Sequence, residues 1–306
     1  MAMRFTTASH PGTGSGRIDH RSPADPTSLY PEHRMPPISP PLGTIVAVDS
    51  HVHFHDLSDP AALLDSALAA LRRNLGDKPL TAALLLTEPA ARPTFATLKE
   101  FTAKPLPTMT AAAWRLEATE EAISLQARNR SGDTIHLIAG QQIVTAENLE
   151  VLALCALPEI ADGIDLQATV RRVRQVGGLP LLPWGVGKWL GRRGRVISDF
   201  LAGSQEGPIL VGDNGGRPAF WSFVPQFRQA TAGGIRILRG SDPLRCSFKR
   251  RGPGSFGSLI DGPFDPARPG HSLAQTLPAA ATRFQPFGSL ESPWHFCRDQ
   301  IALRLS

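Results

Sequence analysis

The residues best suited to chemistry lie in Thr44–Asp56, TIVAVDSHVHFHD, where His51, His53 and His55 alternate with Val52 and Phe54. In an extended segment alternate side chains share a face. The three imidazoles are therefore expected on one side and the apolar pair on the other. Neutral imidazoles at the end of an apolar strand are good ligands for a divalent metal. A lone histidine there would read as structural, but three within five residues, flanked by Asp49 and Asp56, point to a metal site.

Other polar residues recur just past apolar runs. Glu88 follows Ala82–Thr87, Asp213 and Asn214 follow Ile209–Val211, and Asp242 follows Ile235–Leu238. Lys188, Arg192, Arg193 and Arg195 come after Leu179–Leu182 and could receive a phosphate or carboxylate; a solvated helix face is the plainer reading. Trp184, Trp189 and Trp221 suit either a pocket or ordinary packing. His136, inside Thr134–Ala139, reads as a hydrogen-bonded, partly buried side chain.

These positions need elements to hold them. Ile45–Asp49, Ala82–Thr87, Thr134–Ala139, Leu179–Leu182, Ile209–Val211 and Ile235–Leu238 read as strands. Ala82–Thr87 is apolar on both faces, as in a parallel strand covered by helices. Asp59 and Pro60 open a helix with Leu64, Leu68, Leu71 and Leu75 on one stripe, stopped by Gly76. Asp165 caps a second helix, ended by Gly177-Gly178; further helices are expected over Lys188–Leu201 and Phe220–Ala230. Alternating strands and helices give an α/β fold with a parallel sheet. A β/α barrel gathers strand-end residues on one face, whereas an open doubly wound sheet lacks its Gly-rich phosphate loop here. Ala111–Leu116 and Glu120–Ala127 fit strand or helix. Residues 246–292, rich in Gly, Pro and Ser, read as loop, and Trp294–Leu305 as a final helix packing Trp294, Ile301 and Leu305 on the body.

The chain has 306 residues, of which 42% are apolar, enough for a substantial core. Residues 1–43 hold eight prolines and four glycines and no apolar periodicity, so they read as a disordered arm before one domain over 44–306. Met35 offers an alternative start. No apolar run reaches a membrane span and no signal-peptide core is visible. Three widely spaced cysteines argue against a disulfide framework and for a reducing, cytoplasmic setting. The net charge of +5 permits an anionic ligand without requiring nucleic acid.

Asp49-Ser50-His51-Val52-His53 is similar to the opening D-x-H-x-H of the PHP (polymerase and histidinol phosphatase) family. Leu86-Thr87-Glu88-Pro89 stands where that family has T-D-H, and Gly140-Gln141-Gln142-Ile143 resembles its G-x-E-I. Gly177-Gly178-Leu179 with Pro183-Trp184 resembles G-G-x ending in A-H-P, Asp213-Asn214 resembles E-x-x-N, and Gly240-Ser241-Asp242-Pro243-Leu244 is similar to G-S-D-A-H. The resemblance covers about residues 44–245. It implies a distorted (β/α)7-type barrel of metal-dependent phosphoesterases. Family ligand positions are occupied by Pro89, Gln142, Glu150, Pro183 or Trp184, and Leu244, so a three-metal cluster is not expected. His51, His53 and Asp242 remain. H-x-H after the first strand with Asp after the last is also the minimal pattern of the amidohydrolase superfamily.

Three readings follow. In the first, His51, His53 and Asp242 hold one Zn²⁺ or Mn²⁺ per chain, with Glu88, Glu150 or His55 as a fourth contact, and water is activated for hydrolysis. Asp242 or Glu88 serves the proton transfer, and Lys188, Arg192, Asp213 and Asn214 bind a small anionic substrate. In the second, the barrel is inactive and acts as a ligand-binding or interaction module. In the third, and least favoured, Arg236, Arg239, Arg245, Lys249, Arg250 and Arg251 bind nucleic acid.

Overall fold

A computed structural model describes residues 45–77, 80–92, 94–103, 106 and 113–305, all within one compact unit. The expected arm over 1–43 and part of Ala111–Leu116 lie outside the described residues.

In chain order the first half runs β1 (Ile45–Val52), α1 (Pro60–Leu75), β2 (Thr81–Leu86), α2 (Thr94–Glu100), β3 (Arg115–Ala118), β4 (Ser124–Arg128), β5 (Thr134–Ile138), β6 (Gly140–Val144) and β7 (Glu150–Leu154). The second half runs α3 (Leu166–Gln175), β8 (Leu179–Pro183), α4 (Gly191–Ala202), β9 (Leu210–Asn214), α5 (Pro225–Ala232), β10 (Arg236–Gly240), β11 (Gly257–Asp261), α6 (Pro269–Thr276), β12 (Arg283–Phe287) and α7 (Pro293–Leu305).

The strands form two sheets, ordered β12-β11-β1-β2-β5-β4-β3 and β10-β9-β8-β7-β6. Within them β1, β2 and β5 are parallel, as are β8, β9 and β10; the outer strands run antiparallel. Side-chain alternation divides the apolar residues between faces. Val46, Val48, Ala83, Leu85, Leu181, Leu210 and Leu238 fill one core shared by the two sheets. Ala47, Leu84 and Leu86 turn outward onto Leu64, Leu68 and Leu71 of α1. Leu182 and Val211 turn outward onto Val170, Val173 and Ile197 of α3 and α4. Each such buried aliphatic side chain contributes roughly 1.5–3 kcal/mol. The caps read from sequence are present: Ala62 N–H donates to Asp59 and Ala168 N–H to Asp165.

A distorted (β/α)7-type barrel was expected; the α/β character is present, but among the described residues no ladder joins the two sheets into a closed barrel. Backbone hydrogen bonds stitch them instead, Asp242 N–H to His51 O (2.8 Å) and Gln142 N–H to Glu88 O (3.2 Å). The chain passes between sheets at Gly140, where an added Cβ would lie 2.5 Å from Leu86 O and 2.6 Å from Ala153 O. Only glycine fits that crossing.

The tail is also more regular than its composition implies. β11 pairs with the otherwise free edge of β1, β12 pairs with β11, and α6 packs Leu273 into the core between the sheets. α7 forms, but Trp294 (76%) and Ile301 (59%) are exposed. The helix is held by polar contacts instead, Arg250 bridging Asp299 and Glu291. No helix among the described residues is long and apolar enough to cross a membrane.

Candidate metal centre

The carboxyl ends of β1, β2 and β10 and the middle of β6 converge on one point. His51 Nε2 lies 3.0 Å from His53 Nε2 and 3.2 Å from Gln142 Oε1. Asp242 Oδ1 lies 3.6 Å from the first imidazole nitrogen and 3.5 Å from the second. Tetrahedral donors about 2.05 Å from Zn²⁺ would stand about 3.3 Å apart. The two imidazole nitrogens and the carboxylate oxygen are spaced as a metal's ligands are, and His51, His53 and Asp242 form a group able to hold an ion.

The surroundings orient each donor. Glu88 Oε2 lies 3.4 Å from His53 Nδ1, an arrangement that leaves Nε2 unprotonated for the shared point. Glu88 Oε1 accepts from Phe54 N–H at 2.6 Å. Oε1 is thus engaged with the strand, while Oε2 faces the imidazole without a hydrogen-bond partner of its own. Asn214 Nδ2 donates to Asp242 Oδ2 and fixes that carboxylate, while Asn214 Oδ1 accepts from Gly216 N–H at 2.6 Å. Asp242 adopts a left-handed backbone (φ 44°), uncommon outside glycine and held here by its N–H bond to His51 O.

The charged side chains around the cavity are Asp242, Glu88 and Glu150 against Lys188 and Arg92, −3 + 2 = −1 when the imidazoles are neutral. Burial pushes the His51 pKa down, against the pull of Asp242. Burial acts in the same sense on His53, but Glu88 and Asp242 outweigh it and raise that pKa. Burial would raise Asp242; His51, His53 and Asn214 outweigh it and lower it.

A cavity of about 530 Å³ opens over the cluster, lined by His53, Glu88, Gln142, Glu150, Lys188, Asn214 and Asp242 among others, with Pro89 and Leu244 on its wall. Of the positions that depart from the resembled motifs, Pro89, Gln142, Glu150 and Leu244 thus meet in one place, while Pro183 and Trp184 do not line it. His55 stacks on His53 with ring centroids 6.0 Å apart, and its Nε2–H donates to the Pro243 carbonyl.

The structure does not bring every candidate there. Asp213 is buried in a two-bond ion pair with Arg217 (2.7 and 2.9 Å), so its carboxylate is not offered to a substrate. Arg192 is exposed on α4 and does not line the cavity. Trp184 packs edge-on against Trp221 in the core outside the second sheet, with Trp189 nearby in the same cluster. Four of the six tail cations are engaged within the chain: Arg236 with Ala279 O and Thr282 O, Arg239 with Asp213, and Arg250 and Arg251 with Glu291. His136 is buried with neither ring nitrogen hydrogen-bonded, unlike the partnered histidine expected.

Gln142, which supplies only a neutral amide oxygen, is not among the ligands expected from sequence; its signal is positional, two residues after the crossing at Gly140.

No family model matches the chain, and no curated protein matches it. The fold has a solved counterpart. PsfC from Pseudomonas syringae PB-5123 is similar at a TM-score of 0.51 and 15% identity, over 85% of this chain and 98% of that one. At that identity the likeness shows the fold alone. The lesion-specific endonuclease PfuEndoQ from Pyrococcus furiosus gives a TM-score of 0.45 and 9% identity, over 79% of this chain and 58% of that one. An Endonuclease Q complex with a 27-mer duplex carrying an abasic lesion gives 0.44 and 10%.

Proposed function

We propose that this chain is a hydrolase of phosphoesterase or amidohydrolase type that works with one divalent cation, Zn²⁺ or Mn²⁺. The observation that carries the reading is the convergence of His51 Nε2, His53 Nε2 and Asp242 Oδ1 at ligand spacing beneath an open cavity, with Gln142 Oε1 3.2 Å from the first. Two nitrogens and two oxygens are a donor set suited to Zn²⁺ or Mn²⁺.

A bound cation supplies Lewis acidity and activates water at neutral pH. The chain's residues do the rest. Glu88 holds His53 in one tautomer, Asn214 holds Asp242, and Asp242 serves as a ligand. The cavity admits a small substrate to the open side of the cluster.

Elemental analysis by inductively coupled plasma mass spectrometry tests the reading on wild type beside a His51→Ala/His53→Ala double variant. The expected result is near one metal per chain, absent from the variant, with hydrolysis in a phosphoesterase and amidase screen lost in parallel. A wild type that holds no metal after incubation with Zn²⁺ and Mn²⁺ refutes it. The inactive-module reading would then remain, because such a module keeps its fold and ligands without the two histidines.

A further inference from the structure

Lys188 stands on the turn between β8 and α4, where its N–H donates to Gly185 O at 3.0 Å. Gly185 leaves room for its stem: a Cβ there would lie 2.9 Å from Lys188 Cδ and 3.3 Å from Cγ. The ammonium pairs with Glu150 Oε1. The same oxygen accepts from Gln142 Nε2 at 3.1 Å, and Gln142 Oε1 faces His51 Nε2 at 3.2 Å. A continuous chain of contacts therefore ties Lys188 to the ligand cluster.

An ammonium has three donors. Glu150 occupies one, and the side chain stays 35% exposed in the cavity wall. Glu150 thus holds a cation at fixed reach from the cluster without using up its donors.

We infer that Lys188 is the anion-receiving residue of this site: it binds an anionic oxygen of the substrate while the rest of the reacting group lies at the His51–His53–Asp242 point. The inference rests on the hydrolase reading for what occupies that point. The shared chemistry is an oxyanion, phosphate or carboxylate. Glu150, Gln142 and Gly185 are positioning residues for Lys188.

The test is calorimetric titration of the metal-analysed full chain with inorganic phosphate and, separately, acetate. Lys188→Met is expected to keep one metal per chain and to bind the recognised anion at least tenfold more weakly, with Lys188→Arg recovering most of the affinity. A loss confined to one anion names the source. Should Lys188→Met fold poorly because Glu150 is left unpaired, Lys188→Met/Glu150→Gln carries the same expectation. Gly185→Ala, with every charge intact, is expected to weaken anion binding too; a role in stability alone would not move that readout. Anion affinities in Lys188→Met within twofold of wild type, metal retained, overturn the inference alone, as does a wild type that binds neither anion. A wild type without metal whose phosphate binding still depends on Lys188 refutes the hydrolase reading and leaves the Lys188 assignment standing.

Discussion

His136→Leu is expected to stabilise the protein, and by more in acid than at neutral pH. His136 lies on β5 facing the core between the sheets, its ring 5.4 Å from Phe264 and both ring nitrogens unpartnered. Each buried polar atom without a partner costs about 1–3 kcal/mol, so a leucine of similar volume should gain about that much at pH 7.5. Burial holds the His136 pKa down to about 4, with Arg128 adding to the effect. An unfolded histidine titrates near 6.5. Between those values the unfolded chain binds the proton and the folded chain does not, so stability falls as pH drops from about 6.5 to about 4. The loss for wild type is about 2 kcal/mol by pH 5 and about 3 kcal/mol by pH 4. Leucine has no such loss. Urea denaturation of both proteins at pH 7.5 and pH 5 reads the difference, and contributions from the metal cluster, common to both, cancel. A stability gap that does not widen at pH 5, or a leucine variant weaker than wild type at pH 7.5, would show that His136 is paired or accessible and refute the reasoning.

Three further outcomes are expected. Glu88→Gln should keep the fold and lower metal affinity by about 10- to 100-fold, read by chelator competition, because the carboxylate facing His53 Nδ1 is lost. Asp213→Ala strands the Arg217 guanidinium, only 7% exposed, and should cost about 3–5 kcal/mol in chemical denaturation. Gly240→Ala places a Cβ 2.5 Å from His51 Cβ, so the strand bearing the ligands must shift; stability should fall by about 1–3 kcal/mol and metal affinity with it.

The parallel strands and their helices were legible in sequence because both faces of Ala82–Thr87 and one stripe of α1 are apolar. Those patterns are set by local periodicity. β11, α6 and β12 were not legible: five-residue strands among Gly and Pro carry no period, and their order comes from the free edge of β1, which is remote in sequence. α7 was placed correctly but its exposed face was misjudged, because its attachment is an ion pair to Arg250 and not an apolar stripe. At the centre, alternation of His51 and His53 and the strand-end position of Asp242 could be read directly. Gln142 stood at a ligand position of the resembled family, but its contact with His51 could not be read, because it depends on the sheet crossing that brings β6 beside β2.

Asp49, read from the sequence as the opening of the metal motif, points away from the cavity. Its two oxygens accept N–H groups from His51 (3.3 Å), Ser241 (2.8 Å) and Gly254 (2.7 Å). It therefore pins the strand bearing two ligands to the segment bearing the third, with no cation involved. Such a frame sets the position of the cluster apart from the identity of its neighbours. Side chains on the cavity wall, Pro89 and Leu244 among them, can change without breaking the backbone hydrogen bonds beneath them.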